Sequence, residues 1–335
     1  MPEGWLVSAA FTRAPAMKAI EQDVLQHIIQ WLLSGSSAWL CTIVDTVGSS
    51  PRPVGSLLAC NADGEQVGSL SGGCVEENLL ARLEAGTLAQ GAPVLIEYGV
   101  TAQENERLGL PCGGRLHVLV QSLGEEDLAW LRPVVDAIEN RQCIRRHLSL
   151  TDGATRLEAA DHYAVLRVGD DTLSQTFGPS QRMLLVGAGQ LSQSLAELGL
   201  AMDYEVIVTD PRERMLAQWD GPRVTLVDGM PDDAVRELAD DPHSVIITLT
   251  HDPRIDDMAL MEALESKAWY VGALGSARTT EKRLERLRAL AVPPEAVARL
   301  HAPVGIAIGS KTPIEIAISI MAELTQLRRA RERAG

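Results

Sequence analysis

Cys74 stands directly behind two glycines, in the run Gly72-Gly73-Cys74-Val75-Glu76-Glu77. Val75, Leu79, Leu80 and Leu83 follow at helical spacing, which predicts a helix starting near Cys74. A thiol in a helix's first turn, beside free backbone N–H groups, has the character of a nucleophile or a soft-metal ligand. The glycines allow an anionic group to approach the backbone closely. Glu76 adds a carboxylate in the same turn. A second thiol of the same kind lies at Pro111-Cys112-Gly113-Gly114. No histidine is close to Cys74 in sequence to act as its base, so custody of a ligand is a better reading than nucleophilic catalysis. The turn Gly48-Ser49-Ser50-Pro51-Arg52-Pro53 offers hydroxyls and a guanidinium that suit a phosphate or another oxyanion; a plain proline-rich turn with a solvated arginine is the alternative.

A different chemistry is written further on. Met183–Val186 runs into Gly187-Ala188-Gly189-Gln190-Leu191-Ser192 and then a helical pattern. Strand, glycine loop and helix in that order form a dinucleotide-binding fingerprint, with Ser192 where a third glycine is expected. Asp210 closes the next strand about 20 residues on, where an acid commonly takes the ribose hydroxyls. His251 and Asp252 follow another strand, and Gly275 and Ser276 a third. In an open parallel sheet these all fall at the carboxyl edge, where ligands bind. His251 and Asp252 serve either to orient a substrate and move protons or as an ordinary capped loop.

The elements that must hold these residues follow two grammars. Residues 18–34 read as an amphipathic helix. Ala38–Val44, Ser56–Cys60, Gln66–Leu70, Val94–Tyr98 and Leu116–Gln121 read as strands, with Asp63-Gly64 as a hairpin turn and a helix over 127–140. Residues 141–180 are polar and strand-poor and read as a connecting region with at most a small hairpin. From Met183 short apolar runs alternate with helix-length segments, the pattern of a doubly wound parallel sheet. In the last helix Thr312, Pro313 and Glu315 form the start, and Ile314, Ala317, Ile318, Met321 and Leu324 the expected buried stripe. The expected fold is therefore α/β: a Rossmann-like domain over 181–330, preceded by an α+β domain over 18–140, the connecting region 141–180, and an N-terminal extension over 1–17.

The 335 residues are 46% hydrophobic and 22% charged, ordinary for a globular protein, and allow two domains. A formal charge of −15 argues against nucleic acid or an anionic membrane as partner. No apolar run reaches the roughly 20 residues of a membrane span, and no secretion signal is evident, so a cytoplasmic location is expected. The five cysteines form no CxxC pair; Cys41 and Cys60, inside apolar runs, read as core filler.

Taken together the segments GSSPRPVGS (48–56), GSLSGGCVEENL (68–79), CGGRLHVLV (112–120), LLVGAGQLSQSLA (184–196), HDPRIDD (251–257) and HAPVGIAIGSKTPIEIAISIMAEL (301–324) resemble the XdhC/CoxI family. These are accessory proteins of xanthine dehydrogenase and related molybdenum hydroxylases. The resemblance implies a protein that binds molybdenum cofactor (molybdopterin), protects it during exchange of an oxo ligand for sulfur, and inserts it into the apo-hydroxylase. It implies that Cys74 and Cys112 contact the molybdenum or its dithiolene, and that Ser50 and Arg52 hold an anionic group nearby. Gly72, Gly73, Glu76 and Gly113 would line the same cofactor site. Gly187, Gly189 and Asp210, with His251, Asp252, Gly275 and Ser276, would bind NAD(P) or another nucleotide. The implied partners are the molybdenum hydroxylase apo-enzyme, a cysteine desulfurase or sulfurase, and a second copy in a homodimer. Gln190 and Ser192 depart from the family pattern of histidine and glycine. Two rivals remain: an NAD(P)-dependent oxidoreductase, and a metal-dependent hydrolase or lyase using Cys74, Cys112 and Glu76.

Overall fold

A computed structural model of the chain describes residues 20–48, 52–88, 91–101, 103, 106 and 114–334. The extension 1–17, Ser50, Cys112 and Gly113 lie outside the described residues. The chain divides into two compact units, Lys18–Pro179 and Ser180–Arg331, and each is described by itself.

The first unit is built on a five-stranded antiparallel sheet of order β3-β2-β1-β5-β4. Its strands are β1 (Ala38–Val47), β2 (Leu57–Asn61), β3 (Gln66–Gly68), β4 (Val94–Tyr98) and β5 (Arg115–Leu123). Alternation along the strands assigns each face its cover. Cys41, Ile43, Leu58, Cys60, Ile96 and Val118 pack under helix α2 (Cys74–Glu84), which contributes Val75, Leu79 and Leu83. Leu40, Leu57, Ala59 and Leu123 pack against α1 (Ile20–Leu33) and α3 (Leu128–Glu139). Cys41 and Cys60 are fully buried core residues, as their apolar surroundings indicate.

Residues 143–177 overturn the strand-poor reading of the connecting region. They form a second antiparallel sheet, β7-β6-β9-β8, from β6 (Cys143–Ser149), β7 (Thr155–Ala160), β8 (Arg167–Val168) and β9 (Thr172–Phe177). Polarity hides these strands: β7 buries no residue fully, and fully buried Arg146 takes a core position in β6, stacked on Trp130 with its guanidinium carbon 3.8 Å from the ring centroid.

The second unit is a six-stranded parallel sheet of order β12-β11-β10-β13-β14-β15. The strands are β10 (Arg182–Val186), β11 (Glu205–Thr209), β12 (Thr225–Val227), β13 (Ser244–Thr248), β14 (Tyr270–Ala273) and β15 (Leu300–His301). Counted from β10 the order is 3-2-1-4-5-6, the Rossmann arrangement, with its switch point between β10 and β13. Helices α4 (Gln190–Ala201), α5 (Glu213–Ala217), α6 (Pro231–Leu238), α7 (Pro253–Glu265), α8 (Ala277–Ala289), α9 (Pro294–Val297) and α10 (Pro313–Ala334) follow in chain order. Leu195 of α4 and Ile320 and Leu324 of α10 cover one face, with Leu260 and Leu264 of α7 and Leu287 of α8 on the other.

The last helix corrects one expectation. Its capping box forms as read: Glu315 Oε2 accepts from the amides of Lys311 at 2.7 Å and Thr312 at 2.9 Å. Its buried stripe, however, is Ala317, Ile320, Met321 and Leu324, while Ile314 and Ile318 are 42% and 48% exposed. The i, i+3, i+4, i+7 spacing fits both choices nearly as well, and packing on the sheet selects the second. Among the described residues no helix is long and apolar enough to cross a membrane.

Candidate functional site

Antiparallel pairing sends three connections to one end of the first unit's sheet. β1 ends there at Val47, β2 starts there, β3 ends at Gly68, β4 ends at Tyr98 and β5 starts at Arg115. The Arg52 turn and the loop leading to Cys74 therefore leave from this end, where Tyr98 and Arg115 also lie. Gly48 and Gly114 come close together, since a Cβ on Gly48 would lie 3.5 Å from the Gly114 Cα. Arg52 is exposed.

The loop before Cys74 is held from inside by Glu76. Its Oε1 accepts from Ser69 Oγ (3.0 Å) and from the amides of Leu70 (2.9 Å), Ser71 (2.7 Å) and Gly72 (2.8 Å). Its Oε2 accepts from the Gly73 amide at 3.0 Å and from the Ser71 hydroxyl. Burial opposes the charge, but the Ser71 hydroxyl and the loop amides outweigh it and hold the carboxyl down at about 2. These amides are the ones that a glycine loop would turn toward a phosphate. Here an internal carboxylate, Glu76, fills that nest and holds the loop. Gly68 is required on steric grounds: its φ is +89° and a Cβ would fall 2.3 Å from Leu57 O. Cys74 emerges from this rigid turn as an exposed free thiol, whereas Cys41, Cys60 and Cys143 are buried. Gly72 (φ +86°) and Gly73 leave open space on its approach, with no atom within 4 Å of a Cβ built on either.

In the second unit the glycine loop follows β10. Gly187 has φ +113°, and a Cβ there would meet Thr250 Cγ2 at 2.8 Å. Its amide donates to Thr209 O at 2.7 Å. Ser192, which replaces the third glycine, is buried and donates its hydroxyl back to Gly187 O, so the departure ties the loop to its helix. No side chain lies within 4 Å of a Cβ built on Gly189. Asp210 is fully buried; its Oδ2 accepts from the Ala188 amide at 2.9 Å and it is forked by Arg212. Burial opposes its charge, and Arg212 and the Ala188 amide hold it below the usual carboxylate range.

At the other strand ends two of the four expected residues are helix caps. Asp252 caps α7, accepting from the Arg254 amide at 3.0 Å and its Nη2 at 2.8 Å. Ser276 caps α8, accepting from the Thr279 amide at 3.2 Å, and Gly275 packs so closely that a Cβ there would lie 3.3 Å from the Thr279 Cβ. His251 is exposed. The structure brings forward residues that sequence spacing does not single out. Buried Asp256 accepts from Thr250 Oγ1 at 2.7 Å and Arg283 Nη2 at 2.9 Å, and Asp257 accepts from Arg286 Nη2 at 3.1 Å. Glu323 accepts from Tyr270 Oη (2.8 Å), His301 Nδ1 (3.0 Å) and the Gly305 amide (2.6 Å). The available signal was polar residues inside apolar helical stripes: two arginines three apart in α8, and one glutamate beside Leu324 in α10. Among the described residues no three His, Cys, Asp or Glu side chains converge as a metal cluster.

A Rossmann unit preceded by an α+β unit with an exposed glycine-flanked thiol defines a class already met in family signatures. The signature of the XdhC and CoxI family matches residues 31–99, and that of the XdhC Rossmann domain matches residues 183–324. The chain belongs to the XdhC and CoxI family. It is 28% identical over 316 residues to a protein of Bacillus subtilis (strain 168) whose name describes a probable xanthine dehydrogenase component, covering 87% of this chain and 93% of that one. It is also 28% identical over 313 residues to the molybdenum cofactor insertion chaperone PaoD of Escherichia coli (strain K12), covering 92% and 88%. A solved structure described as a xanthine dehydrogenase from Bacillus halodurans superposes with a TM-score of 0.71 at 26% identity, over 95% of this chain and 98% of that one.

Proposed function

We propose that this protein carries molybdenum cofactor as cargo and delivers it to a xanthine dehydrogenase-like molybdenum hydroxylase. The observation that carries the reading is the Cys74 thiol, exposed on a turn that Glu76 holds in place, at the sheet end shared with the Arg52 turn. Sulfur is a soft ligand suited to a thiolate-rich metal centre, and a guanidinium suits the cofactor's phosphate. Cys74, with Cys112, contacts the molybdenum end; Arg52, with Ser50, holds the anionic end. The name of the PaoD relative supports the cargo, and that of the Bacillus subtilis relative supports the class of receiving enzyme.

In this reading the protein shields the cofactor while a sulfurase exchanges its oxo ligand, works as a homodimer in the cytoplasm, and turns over no substrate. The hydrolase or lyase alternative is disfavoured because both oxygens of Glu76 are taken by the loop. A native mass spectrum of protein from a molybdenum-replete host tests the proposal. Bound molybdopterin is the expected result. A stoichiometric first-row metal without pterin, or NAD(P) alone, would contradict it.

A further inference from the structure

The Rossmann order and glycine loop imply a nicotinamide dinucleotide, whose adenosine ribose would place its two hydroxyls on the acid that ends the second strand. That acid is Asp210, and its acceptor positions are already filled. Oδ1 takes the Arg212 amide at 3.0 Å and Arg212 Nε at 2.8 Å. Oδ2 takes the Ala188 amide at 2.9 Å and Arg212 Nη2 at 2.8 Å. Two carboxylate oxygens offer about four lone-pair sites, so four donors leave none for a diol. The residues present therefore do not fit NAD bound through its ribose hydroxyls.

The competition is unequal. The Ala188 bond holds the glycine loop and is compatible with a ligand, but the arginine fork must be broken before a ribose can bind. The fork brings a full positive charge to a fully buried carboxylate, whereas two ribose hydroxyls bring none, so the fork is the stronger pair. Arg212 is itself 43% exposed, and because Nε and Nη2 form the fork, Nη1 stays outside it. A phosphate can be met by that outer edge while the fork stays closed.

We propose that Arg212 sets the specificity of this crevice: by occupying Asp210 it excludes nucleotides that present a free ribose diol and favours those that present a phosphate there. The inference concerns the crevice alone and is independent of the molybdenum-cargo reading, since no molybdenum enters its test.

The test is calorimetric titration of the full-length protein with NADH and NADPH, the second differing by a phosphate on the ribose 2′ position. Arg212→Ala and Arg212→Met are titrated alongside, the methionine keeping the aliphatic packing, and thermal melts confirm that both fold. The wild type is expected to favour NADPH by about tenfold or more, and the variants to gain about tenfold for NADH while losing about tenfold for NADPH. NADH binding that emerges only in the variants also supports the proposal. A folded variant with no gain for NADH, or a wild type that binds NADH at least as tightly as NADPH, overturns it.

Discussion

The amide of Gly72 lies 2.8 Å from Oε1 of Glu76, a carboxylate one helical turn further along the chain. That contact, repeated by the amides of Leu70, Ser71 and Gly73, converts a glycine loop into a fixed platform for the residue between them, Cys74. A glutamine at position 76 keeps one acceptor but turns an NH2 group toward backbone donors. Glu76→Gln is expected to cost about 2–3 kcal/mol in urea denaturation, with the loss concentrated in hydrogen-exchange protection of residues 69–77.

The same carboxylate gives the loop a pH dependence of known sign. Its folded value, about 2, is below the unfolded value of 4.5. The stabilisation is therefore complete above about 4.5 and is lost as pH falls toward 2. Acid titration of the wild type should loosen the 69–77 segment over this window. Glu76→Gln should remove that component of the acid transition.

Two glycines of the same connection should respond differently to alanine. At Gly68 the new Cβ meets Leu57 O at 2.3 Å, so Gly68→Ala is expected to cost more than about 3 kcal/mol. At Gly72 a Cβ meets nothing within 4 Å and only the left-handed φ of +86° opposes it, about 1–2 kcal/mol. Chemical denaturation of the two variants separates these values.

In the Rossmann unit Asp256 and Arg283 form a buried pair 2.9 Å apart. Arg283→Met alone should cost about 3–5 kcal/mol, because it leaves buried Asp256 without its cation, and Asp256→Asn less, because Asp257 Oδ1 stays 4.0 Å from Arg283 Nε. The double variant should cost clearly less than the sum of the two. Denaturation of the four proteins in this cycle measures the coupling.

Burial separates the described thiols. Cys41 and Cys60 are fully buried and Cys143 is 5% exposed, whereas Cys74 is open to solvent. Native alkylation followed by peptide mapping should modify Cys74 at least about 100-fold faster than these three, which react only through opening of the core.

Much of this was legible in residue patterns, and the misses have physical causes. The Rossmann strands announce themselves because a parallel sheet buries both faces, so Glu205–Thr209 reads as an apolar run. The sheet over 143–177 did not, because β7 keeps every side chain partly in solvent and Arg146 imitates a surface residue in a core position. Cys74 was legible as a thiol at a helix start, since glycines and helical spacing together point to that place; its exposure was not. The role of Glu76 was not, because sequence distance cannot say whether a glycine loop's amides face a ligand or the chain's own carboxylate. Asp252 and Ser276 illustrate the same limit: each stands at the carboxyl edge of the sheet, and each caps a helix.

The most direct test of the central claim is the molybdenum and pterin content of the purified protein, wild type against Cys74→Ala, expressed in the same molybdenum-replete host. Cys74 is exposed and packs no core, so the variant should keep the wild-type melting temperature. The expected result is near-stoichiometric cofactor in the wild type and at least about a tenfold loss in the variant. Equal cofactor content in the two proteins would contradict the account.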